Sequence, residues 1–371
     1  MTLNCQTLLP VGEKLKPLLN KSCISEANMK EILTKRGVFI CGSDKKISIP
    51  LLTLSLLSPK EFEALQEFQK TKEDSLKIKT SKALALTEST LNTIIPLEII
   101  ECEELVDDTN NFKFDTDLGF SIITPNCLAL DYAIVREDVT KDWASNESRF
   151  SARVEVIKDL NSKEITFKSE FTSAETENIN YKIIKKLTGY LKDNQEISPS
   201  NSIIEISSDK FTNSERFSFM LQLANDSPNG FLRFEAVKNI EIGPDKTFSM
   251  PDDSKWMEGS VRNIIINSEK GQTLENIEYI SNADYHESLI LRQIQAQYKF
   301  EFGSVKGMCI IEYGFPHYFR THTRGTSFES SISKIYFSKD SKSQNIKNTS
   351  RQILDEFQGL YQSKFDLNKK V

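Results

Sequence analysis

Metal-dependent phosphodiester cleavage needs carboxylates converging on a divalent cation with a lysine beside them. Two runs approach that pattern: Arg153-Val154-Glu155-Val156-Ile157-Lys158 and Arg233-Phe234-Glu235-Ala236-Val237-Lys238 each set a lysine three residues after a glutamate. On a strand that spacing sends the two side chains to opposite faces, so neither run completes a metal site without a bulge, and both read as surface strands. Asp131 with Glu137 and Asp138 offers further carboxylates inside an acidic run. A second chemistry lies in Glu312 to Gly325, where His317, Arg320, His322 and Arg324 are interleaved with Tyr313, Phe315, Tyr318 and Phe319. Arginine among aromatics suits stacking on bases together with phosphate contact. The same residues also suit a plain structural role, with Tyr and Phe in the core and Arg paired to an acidic surface. His317 and His322, five apart in an extended loop, do not aim at one ion unaided. A third group, Lys30, Lys35, Arg36, Lys45 and Lys46, would cluster cations where a helix ends, a short strand follows and a Lys45-Lys46 turn returns. Such a cluster holds phosphates. It equally solvates a small helical unit that docks on another protein.

Other reactions lack their motifs. The Gly residues are dispersed and form neither GxxxxGK[ST] nor GxGxxG, so ATP and dinucleotide binding have no support, and GxSxG is absent. Cys5, Cys23, Cys41, Cys102, Cys127 and Cys309 make no CxxC pair and read as reduced, mostly buried thiols. Trp143 and Trp256 read as packing anchors. No catalytic residue, metal ligand or cofactor is assigned.

The elements that must position these residues belong to an ordinary folded protein. The chain has 371 residues, 38% of them hydrophobic and 27% charged. At roughly 150 residues per domain that predicts two or three domains. Lys plus Arg number 47 against 53 Asp plus Glu, a net charge of -6, so any nucleic-acid surface must be local. Between Glu98 and Asp142 twelve acids face only Lys113, Arg136 and Lys141, a segment that repels phosphate. The start, Met1-Thr2-Leu3-Asn4-Cys5, has no basic and apolar leader, and no window approaches ~18 apolar residues, which predicts a cytoplasmic protein without membrane spans.

Periodicity predicts a helix over Glu26–Arg36 capped by Ser25 and stopped by Gly37, a short strand over Val38–Ile40, and an apolar helix with Pro50 at its first position. Ser58-Pro59-Lys60-Glu61 opens a further helix, expected to run to about Ala85. Beyond it β-branched and aromatic runs recur at Phe120–Thr124, Ala152–Ile157, Glu164–Phe171, Ile203–Ile206, Phe231–Val237, Ser260–Ile266 and Phe300–Phe315, with helices at Thr176–Leu191, Asn213–Ala224 and Ile346–Leu360. The expected fold is α+β, a small helical N-terminal domain with a short β-wing followed by a mixed, mainly antiparallel α+β body. The expected divisions are a helical DNA- or partner-binding domain over 1–95, an acidic α+β domain over 96–198 and an α+β C-terminal domain over 199–371, with Ser198-Pro199-Ser200-Asn201-Ser202 as linker.

The runs Leu9-Pro10-Val11-Gly12-Glu13-Lys14-Leu15-Lys16-Pro17-Leu18-Leu19, Lys30-Glu31-Ile32-Leu33-Thr34-Lys35-Arg36-Gly37-Val38-Phe39, Ile49-Pro50-Leu51-Leu52 and Leu57-Ser58-Pro59-Lys60-Glu61-Phe62-Glu63 resemble the N-terminal domain of GAPS4b-type proteins. The resemblance covers about the first 90 residues. It implies an accessory subunit of a bacterial two-protein anti-phage defence system, whose companion subunit carries a restriction-type nuclease domain. This chain would then be the non-catalytic partner that helps to bind or sense DNA, with any homo-oligomer arising through the complex. No catalytic residue carries over from the family pattern. Two alternatives stay open: a divalent-metal nuclease using its own carboxylates, and a pure scaffold that never touches nucleic acid.

Overall fold

The computed structural model describes residues 9, 11–20, 24–41, 45–65, 75–106, 111–137, 147–199, 203–225, 230–258, 261, 263–269, 273–274, 276–316, 326–338, 341 and 345–368. Helices α1 (Lys16–Asn20), α2 (Glu26–Lys35), α3 (Lys45–Leu54) and α4 (59–65) enclose a small core of Leu15, Leu18, Leu19, Ile24, Met29, Ile32, Leu33, Leu52, Leu57, Phe62 and Leu65. Ser25 and Asn28 form a reciprocal capping box at the start of α2. Gly37, at φ 78, closes its end, with Gly37 N–H donating to the Thr34 carbonyl and Val38 N–H to that of Leu33. The expected β-wing is not formed in the described residues. Val38–Ile40 is irregular, because an isolated three-residue segment with no described partner strand cannot satisfy a ladder. Pro50 lies inside α3 and not at its start, so the Lys46 carbonyl loses its helical donor there.

The long helix expected after Ser58 is also corrected. Its described part is 59–65, and Lys77–Leu84 is strand β1, in which Ile78, Ser81 and Ala83 are buried. Residues Met1–Ser75 and Leu84–Asn201 form one compact unit; Leu76–Ala83 and Ser202–Val371 form another. The first contains short helices α5 (Leu91–Ile94) and α6 (Cys102–Leu105) and strands β2 (Phe112–Phe114), β3 (Ser121–Thr124), β4 (Cys127–Glu137), β5 (Glu147–Asp159) and β6 (Glu164–Phe171). β2 and β3 both pair with β4, which runs antiparallel to β5, and β5 antiparallel to β6. Helix α7 (Ala174–Asp193) turns Ile179, Ile183, Leu187 and Leu191 into the core, at helical spacing. Its buried Asn180 donates to Ser169 Oγ and to the Glu170 carbonyl, and Tyr132 donates to its Oδ1 at 2.8 Å.

In the second unit β12 (Glu329–Phe337) pairs with β1, and β7 (Ile204–Glu205) lies beside the other half of β1. β11 (Val305–Gly314), β10 (Leu289–Phe302), β8 (Leu232–Pro244) and β9 (Ile264–Asn267) continue from β12, every pairing antiparallel. The expected Phe300–Phe315 run is two strands joined at Gly303, whose φ of 60 makes the tight turn. Helices α8 (Asn213–Asn225) and α10 (Ile346–Asn368) pack here, with the small α9 (Glu278–Ser281). Their apolar faces bury Phe217, Phe219, Tyr298, Tyr313, Phe315 and Phe357. Helices first and a mainly antiparallel α+β body after them is the predicted class. Among the described residues no helix is long and apolar enough to cross a membrane.

Candidate functional site

The N-terminal cations have different fates. Arg36 at the end of α2 turns its guanidinium across to the start of α4. Its Nε donates to Glu61 Oε1 at 2.5 Å, Nη2 to Glu61 Oε2 and the Leu56 carbonyl, and Nη1 to Ser55 Oγ at 2.8 Å. Glu61 meanwhile accepts from the Ser58 backbone N–H at 2.7 Å, so one carboxylate both caps α4 and fastens it to α2. The fork of Arg36 holds the Glu61 carboxyl down to about 2. This arginine is a structural clasp, a role its position after a helix C-cap did not advertise. Lys45 donates to the Leu19 carbonyl at 3.0 Å, tying α3 to the end of α1. Lys35 lies on the exposed surface of α2 and bridges to Glu31 one turn back at 2.8 Å, and Lys46 is exposed on α3. Lys30 is half-buried. His317, Arg320, His322 and Arg324 lie outside the described residues. Of the same run, Tyr313 and Phe315 are buried in the core of the second unit.

Glu312, on β11, is half-buried and accepts from the side-chain amides of Gln293 and Gln295 on β10, and burial pushes its carboxyl up. The following Gly314 has φ 146, and a Cβ there would stand 2.1 Å from the Arg292 carbonyl, so only glycine fits where β11 crosses β10.

The carboxylates considered for metal chemistry sit in a mixed charge network. Both glutamate runs lie on inner strands of their sheet, β5 and β8 each being flanked on both sides by other strands. Val154 and Val156 are fully buried on the α7 side, while Arg153 and Glu155 alternate to the opposite face. There Arg153 Nη1 meets Asp131 Oδ2 at 2.6 Å, and Lys168 Nζ lies 3.1 Å from Glu170 and 3.6 Å from Glu155. Cys127 donates towards Glu155 at 3.4 Å, and burial beside that carboxylate pushes the thiol up to about 11. Lys158 is buried on its own, donating to the Ser89 carbonyl at 2.8 Å with Glu196 Oε2 3.6 Å away. On β8, Glu235 falls within a register shift against β10 and pairs with Lys299. Glu137 and Asp138 give no described side chain. Two cations thus stand among the three acids of the β4-β5-β6 face, and no group of three or more His, Cys, Asp or Glu among the described residues could share a metal ion.

Two residue expectations are revised. Trp256 is 57% exposed, and its neighbour Met257 takes the buried position, because a short 3-10 turn carries only one of the two inward. Of the described free cysteines only Cys309 is buried; Cys41 is exposed, and Cys102 and Cys127 are half-buried. Trp143, Cys5 and Cys23 lie outside the described residues.

One feature of the N-terminal domain was missed. Ser48, Ile49 and Leu52 turn into the core, yet Ile47, Leu51 and Leu54, spaced i, i+4 and i+7 along α3, are exposed. That spacing was legible in Ile47 to Leu54, but one helix with apolar residues on two sides reads as fully buried from sequence alone.

Residues 13–75 match the family model described as GAPS4b protein N-terminal domain. The N-terminal segment is similar to that domain. The match spans all of α2 and α3 with the Arg36–Glu61 clasp, and it supports a subunit of an anti-phage defence system. No curated protein and no solved structure matches the chain.

Proposed function

We propose that this chain is a non-catalytic subunit of an anti-phage defence complex that works with a separate restriction-type nuclease subunit, acting as scaffold and DNA-sensing partner. The observation that carries the reading is the GAPS4b-type segment itself, which closes its own apolar core and sets Lys35 and Lys46 on its exposed surface. Lys30 and Lys45 complete the DNA-contacting set of this segment, and His317, Arg320, His322 and Arg324 are a separate set of nucleic-acid contacts within the same proposal. Arg36 contributes by holding α2 to α4. The interleaving of Arg153 and Lys168 with Asp131, Glu155 and Glu170 supports a structural role for those carboxylates.

Gel shift of the full chain with its companion on duplex DNA tests the reading. Affinity should fall steeply with salt, and Lys35→Glu with Lys46→Glu should weaken binding to all sequences alike, lowering the salt slope by about one per lysine. Affinity that ignores salt and both substitutions removes the DNA contact. A scaffold without nucleic-acid contact is then favoured, a second reading supported by the exposed aliphatic side chains of α3.

A further inference from the structure

The most exposed large apolar side chains of the described residues all belong to the N-terminal domain: Leu54 at 87%, Phe39 at 80% and Leu56 at 77%. Ile47 and Leu51 complete a stripe with Leu54 along α3. Arg36 holds the Leu56 carbonyl at 2.7 Å and so ties the segment leading to Phe39 to the turn that follows α3. Single exposed leucines are ordinary, but a helical stripe continued by a clasped turn is a surface built to lose water against something apolar.

Charge narrows the occupant. Residues 11–65 carry nine Lys and Arg against six Asp and Glu. Four of those acids are already engaged, Glu13 by Lys16, Glu26 by Ser48, Glu31 by Lys35 and Glu61 by Arg36. Exposed Lys60 stands just beyond the Leu54–Leu56 end of the stripe in sequence. A second copy docking by a two-fold would bring the same basic surface against itself, which costs Coulomb energy. A phosphate backbone would meet aliphatic groups where it needs cations.

We propose that the Ile47–Leu51–Leu54 face of α3, extended by Leu56, is the seat of the companion subunit, and that the companion presents an apolar ridge flanked by carboxylates. This rests on the two-subunit reading above. The companion's ridge buries the leucines, and its acids meet Lys60 at the rim.

The test uses the full chain co-expressed with its companion, complex formation being read by size-exclusion chromatography with light scattering and affinity by calorimetry. Leu51→Asp with Leu54→Asp should weaken the complex by about thirty-fold or more, the size of a hot-spot loss. Lys60→Glu should chiefly slow association and flatten its salt dependence. Should the Asp pair misfold by circular dichroism, a photo-crosslinking residue at Leu54 in the otherwise wild-type chain must label the companion next to Asp or Glu. A wild-type complex that survives the Asp pair, or labels nothing from Leu54, overturns the proposed face while leaving the two-subunit reading standing. A wild-type chain that forms no complex overturns both. Labelling of a second copy of the chain, or of DNA, overturns the occupant.

Discussion

The N-terminal domain and the second unit dispose of their aromatic and branched side chains in opposite ways. The second unit buries a cluster of aromatics around α10: Phe357 lies 5.8 Å from the Tyr298 ring and 5.1 Å from that of Tyr313, while Tyr361 packs on Phe328. Each buried phenol finds an acceptor or partner, Tyr298 at the Leu223 carbonyl, Tyr313 at that of Met220 and Tyr361 at Thr80. Among the described residues the small helical domain has an almost wholly aliphatic core, with Phe62 as its one buried aromatic. Its Phe39 is outside, with Leu54 and Leu56. A broad sheet with two helices encloses this aromatic cluster, with Phe248, Trp256 and Tyr336 left exposed elsewhere in the unit, whereas a core of about a dozen residues has no room for a second apolar face. The surplus becomes surface, available for association.

The comparison breaks most visibly at Phe357. Truncation to alanine removes a fully buried ring from an aromatic cluster and should cost about 3–5 kcal/mol, read as a lowered urea midpoint of the second unit. A loss under about 1 kcal/mol would mean that this cluster is loosely packed and that the contrast with the N-terminal domain is false.

An intermediate effect is expected at the Arg36–Glu61 clasp, where a bidentate pair is partly shielded from water. Glu61→Gln should cost about 1–2 kcal/mol near neutral pH, above an exposed pair and below a buried one. The sign of its pH dependence follows from the depressed carboxyl. With a folded-state value of about 2 against ~4.3 unfolded, the stabilisation is complete above the unfolded value and is lost as pH falls from about 4.5 towards 2. The stability gap between wild type and Glu61→Gln, followed by denaturant melts from pH 6 to pH 2.5, should therefore narrow on acidification. A gap that stays constant would mean that the ionised Glu61 carboxylate does not stabilise the fold.

How much of this was legible differs between the same regions. Ser25, Gly37 and the Ser58-Pro59-Lys60-Glu61 start announced their caps because capping is local chemistry, and α7, α8 and α10 followed from apolar residues at helical spacing. β1 was misread as helix because Lys77-Ile78-Lys79-Thr80 carries its lysines on a strand whose partners are far away in sequence, among them Ser330 and Ser331. Lys168 and Glu170 became neighbours of Glu155 and Arg153 only through the β5–β6 register, which alternation within one strand does not reveal. Arg36 and Glu61 are 25 residues apart, and the sequence read one as a member of a cation cluster and the other as part of a helix start, with nothing to join them. Interactions closed within one turn were readable; those closed across the fold were not.

The smallest effect on stability is expected at Leu54, and there the contrast between the two regions is sharpest. Its side chain is 87% exposed at the end of α3, where folding removes almost none of it from water. Leu54→Ser should thus shift stability by no more than about 0.5 kcal/mol, the range of surface substitutions, apart from a few tenths for weaker helix propensity. A buried leucine of the same helix gives the internal control, since Leu52→Ala empties a fully buried site and should cost about 2–5 kcal/mol. If both variants destabilise alike in thermal melts, Leu54 is covered within the chain and the exposed stripe does not exist. If Leu54→Ser leaves the melt unchanged and lowers hydrophobic-dye binding, the leucine is retained at the surface for a contact outside the fold. Stability and surface chemistry are then separable two residues apart on one helix.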